Sequence, residues 1–151
     1  MNRFVLSVAV LISTSVAANA AANFQGDFFL TEATQPCLDN GWSVGNYGRV
    51  RYQPPNIDGN DKNSRFGIHF NTFAIGYFVK GKITKKFKKA VAGAVAASSF
   101  SQGNAKMRYT TMDPSNVNAN TQNIILVVEI KDYDGNPGCN VTLGGALTKR
   151  P

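Results

Sequence analysis

The chain is poor in the side chains from which active sites are usually built: its 151 residues hold one histidine, one tryptophan and two cysteines. A zinc site takes three or four His, Cys or carboxylate ligands at tight spacings. Two cysteines without a Cys-x-x-Cys spacing, plus a lone histidine, do not supply one. Neither a metal nor any other cofactor is therefore expected. His69 is also the one side chain whose ordinary pKa suits a general base near neutral pH. It falls where Phe66, Ile68 and Phe70 alternate with Gly67, His69 and Asn71, so it reads as a solvent-facing or barrel-lining strand residue.

Two motifs begin well and then fail. Gly41-Trp42-Ser43-Val44-Gly45 fits the GxSxG pattern of a hydrolase nucleophile, with Asp58, Asp61 and His69 following in the required order. That chemistry needs a strand before the serine and a helix after it. Cys37 to Asn40 is no buried strand, and Asn46-Tyr47-Gly48 does not open a helix. Asp132-Tyr133-Asp134-Gly135-Asn136 starts like a calcium loop. Pro137 then stands where that loop needs glycine, and Leu143 where it needs a bidentate glutamate. Turn chemistry accounts for the segment without an ion. No catalytic residue is assigned, and the chain is not expected to be an enzyme.

Long apolar runs are also missing after the first twenty residues. At the start, Arg3 precedes an apolar stretch from Phe4 to Ala18, and Ala18-Asn19-Ala20 offers the small side chains that a signal peptidase accepts. The stretch is shorter than the roughly 20 residues of a spanning helix and is diluted by Ser7, Ser13, Thr14 and Ser15. Residues 1–20 are expected to be a cleavable secretory signal, with cleavage after Ala22 as the second choice. No cysteine follows directly, so no lipoprotein anchor is expected. The mature protein should be periplasmic or secreted, without integral membrane character, and residues 24–151 should form a single β-rich domain.

Acidic residues are scarce too, nine against sixteen lysines and arginines, for a formal charge of +7 that drops to +6 with the loss of Arg3. A basic exported protein suits anionic lipid, an acidic glycan or another envelope protein as partner. Export argues against nucleic acid. In an oxidising compartment the isolated pair Cys37 and Cys139 is expected to form a disulfide.

What the chain has in quantity is period-two alternation. Gly26 to Thr31, Arg49 to Gln53, Lys106 to Thr111 and Asn140 to Thr148 read as strands. Phe66 to Val79 reads as two more, joined near Asn71-Thr72. The nearly unbroken apolar run Ile124 to Ile130 predicts a strand buried on both faces. Strands without intervening helices point to a small antiparallel β-barrel or β-sandwich. One segment departs from this. Ile83, Phe87, Val91 and Val95 recur every fourth residue, with Ala90, Ala94 and Ala97 beside them, which predicts one amphipathic helix over about 83–99, with a lysine-fringed strand hairpin turning at Lys80-Gly81 as the alternative.

Two groups of residues have functional promise. Lys82, Lys85, Lys86, Lys88 and Lys89 gather at the head of that segment and suit an anionic surface; residues 81–97 would then make the protein membrane-active or surface-adhering. Basic and aromatic residues also interleave on the strands. Arg49, Arg51, Tyr52, Tyr77, Arg108 and Tyr109, with Lys106 beside them, are candidates for a ligand face. The overall expectation is a small, exported, non-catalytic binding or envelope-associated protein, stapled by one disulfide.

Overall fold

The period-two segments form eight antiparallel strands that pair in chain order and close, β1 against β8, into a barrel. The structure is a computed structural model that describes residues 21–91 and 105–150. The expected signal, residues 1–20, lies outside them. The strands are β1 (Asn23–Ala33), β2 (Tyr47–Gln53), β3 (Ser64–His69), β4 (Ala74–Val79), β5 (Lys88–Val91), β6 (Lys106–Asp113), β7 (Asn123–Lys131) and β8 (Val141–Arg150). A one-turn helix, α1 (Gln35–Asp39), interrupts the β1–β2 connection. Because neighbours alternate in direction, the connections sort by end. Those after β1, β3 and β7 lie at one end, here the disulfide end. Those after β2, β4 and β6 lie at the other, the terminal end, with Asn23 opposite Arg150.

Closure decides which face is core. Alternate residues of every strand point inward, and an eight-stranded barrel is just wide enough for side chains to fill it. Phe24, Phe28, Val50, Phe66, Ile68, Ile75, Met107 and Leu126 are at most 1 % exposed. The Phe28 and Phe66 rings meet edge to face at 5.9 Å. Each such side chain contributes about 1.5–3 kcal/mol on burial. The β1–β8 seam is tight enough to require glycine: a Cβ at Gly145 would overlap the Asp27 carbonyl and the Phe28 ring.

The disulfide joins Cys37 in α1 to Cys139 just before β8, with both residues fully buried. Thr34 completes the junction. Its hydroxyl donates to the Gly138 carbonyl at 2.8 Å and accepts from the Asn140 amide at 2.9 Å.

Two expectations are corrected. β7 is not buried on both faces: Ile124, Leu126, Val128 and Ile130 point inward, whereas Ile125 is 54 % exposed. A barrel has no second layer to cover it. The helix over 83–99 does not form across residues 83–91. Ile83 to Phe87 is an irregular connection, Lys88–Val91 is β5, and residues 92–99 lie outside the described residues. The reason is backbone pairing. Without β5, the edges of β4 and β6 would expose unpaired N–H and C=O groups. β5 bridges them through Val79↔Ala90 and Lys88↔Met107. The turn that feeds it passes through Gly81 at φ +72. The Lys88 ammonium closes that turn by donating to the carbonyls of Lys80 and Lys82 at 2.7 and 2.9 Å.

Candidate anion-binding surface

Pairing across β5, β6 and β7 sets three lysines in one row. Lys89 lies directly opposite Lys106, and Lys106 directly opposite Lys131. All three follow the outward parity of their strands, one residue from inward-facing Ala90, Met107 and Ile130. Adjacent strands run about 4.8 Å apart, and like charges held opposite one another destabilise a sheet. Sequence alternation and register together set the three side chains opposite one another.

The next outward row supplies the support. Arg108 faces Glu129 in register and forms an ion pair with it. The Phe87 ring lies beneath two cations, with the Arg108 guanidinium carbon 4.6 Å and the Lys131 ammonium 4.5 Å from its centroid. An aromatic face holds cations there without neutralising them. Lys85 and Lys86 stand exposed on the connection just before. Two carboxylates lie in the register of this wall: Glu129 is paired with Arg108, and Asp113 stands at the far end of β6, opposite Ile125. Glu32, on β1, accepts from the Thr142 hydroxyl at 2.8 Å and keeps its charge. Among the described residues Lys85, Lys86, Lys89, Lys106 and Lys131 form no ion pair, so the wall presents a surplus of ammonium groups.

The residues expected from sequence are thus redistributed. Of the five lysines, Lys85, Lys86 and Lys89 belong to this wall; Lys88 is consumed as the turn clamp, and Lys82 lines the terminal end. The six-residue ligand face does not assemble. Arg49 and Arg51 are exposed on the outside of β2, and Arg49 lies 4.0 Å from Asp27. Tyr52 and Tyr77 point into the barrel, each 2 % exposed, and Tyr109 is half-buried at its mouth. Burial pushes the Tyr52 phenol up to about 12, and Tyr77 further still. Arg108 alone joins the lysine wall. Lys131 escaped the sequence reading, and Phe87 was assigned to a helix face; only strand register brings them to Lys89.

The disulfide end shows what the GxSxG segment does. Gly41 and Gly45 sit at φ +85 and +91, where glycine is the residue of choice. The Ser43 amide donates to Asn46 Oδ1 at 2.7 Å, and the chain runs straight into β2. No helix follows the serine, so the strand–serine–helix geometry of a nucleophile elbow is not built. Trp42 packs edge-on to Tyr133 at 4.8 Å and closes this end of the core. In the calcium-like turn, Asp132 Oδ1 accepts from the Gly138 amide at 2.9 Å. Among the described residues, no three His, Cys, Asp or Glu side chains gather as a metal would need.

No protein-family model, curated protein or solved structure matches this chain. Function must be argued from the wall and the two ends of the barrel.

Proposed function

We propose that this is an exported, non-catalytic binding module that recognises an acidic glycan through the outer wall of β5, β6 and β7. The observation that carries the proposal is the row Lys89–Lys106–Lys131. A row of like charges weakens the free protein, and closely spaced carboxylates or sulfates relieve that weakness on binding. Export is supported by the signal-like N-terminus and by a fully buried disulfide, a bond that persists in oxidising compartments. A chain-like polyanion fits the wall better than a bilayer does. Membrane-surface elements pair their cations with a continuous apolar face, whereas Phe87 is covered by two cations, Phe29, Val44 and Tyr47 are exposed on β1, β2 and their connection, and the exposed apolar residues of the wall, Val91 on β5 and Ile125 on β7, stand singly at its opposite ends. The barrel's polarity, apolar inside and charged outside, is also the reverse of a membrane-spanning barrel. Membrane attachment through an amphipathic helix over 81–97 draws no support from residues 83–91.

The test is retention on immobilised acidic polysaccharide at low salt. Wild type should bind at about 50 mM salt and elute well before 1 M, where the Debye length falls to about 3 Å. The Lys89→Gln, Lys106→Gln, Lys131→Gln triple variant should run through. A control triple at Arg49, Arg51 and Arg65, with the same change in net charge, should still bind. Equal loss in both triples, or tighter binding to anionic vesicles than to the glycan, would sink the proposal.

A further inference from the structure

The terminal end of the barrel carries a second opening. Tyr52, Ile57, Ile83, Tyr109, Met112 and Val117 line a cleft of about 140 Å³ between the three connections of that end. Its floor is rigid, because Tyr52 and Ile83 belong to the core at 2 % and 3 % exposure. Its charge is one-sided. Lys82 is the one charged side chain in the lining, while Asp58, beside Ile57 on the β2–β3 connection, is engaged by Lys149 at 2.6 Å. The Tyr52 phenol does not oppose an anion: it keeps its proton through the physiological range because burial pushes it up to about 12. A volume of this size is close to the roughly 150 Å³ apolar cavity that holds one benzene ring. It is far too small for a protein partner, which needs about 800 Å² on each side.

We infer that this cleft binds a small carboxylate whose body is a single aromatic ring or a short acyl chain. The body lies against Ile57, Ile83 and Met112, and the carboxylate faces Lys82. The inference is independent of the glycan reading, since no residue of the lysine row lines the cleft.

Amide NMR of the mature protein, titrated with benzoate, hexanoate and neutral benzamide, decides it. Benzoate and hexanoate should give saturable shifts at Ile57, Ile83, Met112 and Val117, with dissociation constants on the order of 0.1–1 mM. Benzamide should bind several-fold more weakly, and Lys82→Gln should erase that difference. Val117→Trp, a loop substitution that fills the cleft, should abolish binding while the dispersed barrel spectrum persists. No saturation at the cleft by about 10 mM ligand in wild type overturns the inference. So does unchanged binding in a folded Val117→Trp, or a shift pattern confined to the lysine row.

Discussion

Replacing Lys106 with Gln should strengthen the fold and weaken binding at the same time. Lys106 is the middle of the row, so its loss removes both like-charge pairs. Ammonium groups about 7 Å apart repel by about 0.6 kcal/mol in water-like dielectric. Screening leaves about 0.25 kcal/mol per pair at physiological ionic strength and about 0.5 kcal/mol at 0.01 M salt. The variant should therefore gain roughly 1 kcal/mol at low salt, half of that at physiological salt, and almost nothing at 1 M. In urea the low-salt gain appears as a midpoint rise of about 0.5 M for a slope near 2 kcal/mol/M. Glycan affinity should fall about fivefold, one basic residue at an anionic surface being worth about 1 kcal/mol. Urea unfolding at three salt concentrations, beside a binding titration, reads both signs. A variant that is less stable at low salt, or a gain that does not fade with salt, would show that the three side chains splay apart and do not repel.

Two other perturbations follow from the interior and its staple. Cys37 and Cys139 are 102 residues apart, so the Cys37→Ala, Cys139→Ala double variant should lose up to about 4–5 kcal/mol through a freer unfolded chain. Thermal unfolding should fall by more than about 10 °C; a loss below about 1 kcal/mol would mean that bridge and seam are redundant. Tyr52, Tyr77 and Tyr133 all have phenols raised above the ordinary value of 10.0 by burial. Above pH 10 the folded state keeps protons that the unfolded chain has released, so stability falls as pH rises. Three such groups give a slope of about 4 kcal/mol per pH unit. Phenolate absorbance should then jump cooperatively with loss of the barrel near pH 11, and three independent titrations in a folded barrel would refute it.

The strands were legible because a half-buried strand writes its burial into alternate residues. Phe66, Ile68, Ile75, Tyr77 and Val79 are inward in the barrel as their period requires. The disulfide was legible from the number of cysteines and the compartment expected from the N-terminus. The segment after Gly81 was not, because a spacing of four has no unique meaning in a loop. Ile83 plugs the end of the barrel, Phe87 lies under two cations on the outer wall, and Val91 is 42 % exposed. Three residues on one helical face thus have three different surroundings. The crowding of lysines at a helix N-terminus, which the dipole disfavours, was the signal that pointed the other way. β7 misled for a related reason: a β-branched run looks the same whether or not its outer face is covered. The lysine row is a matter of register between distant strands, and single-strand patterns do not encode it.

Where the row sits also bears on why it is tolerated. Among the described residues, β5 joins β4 through two registered pairs and β6 through two, whereas β1 joins β8 through ten. The Lys89–Lys106 pair thus lies on the most thinly paired part of the wall, the Lys106–Lys131 pair on the better-paired β6–β7 ladder, and the disulfide beside the most heavily paired seam. A like-charge row at the strong seam would change little when neutralised, because the ladder there holds regardless. At β5 it lowers the free-energy cost of a local opening, so an anion that neutralises the row stabilises β5 as it binds. Recognition and closure of the barrel are then coupled through one short strand. That coupling assigns a role to the four residues that the sequence presented as part of a helix.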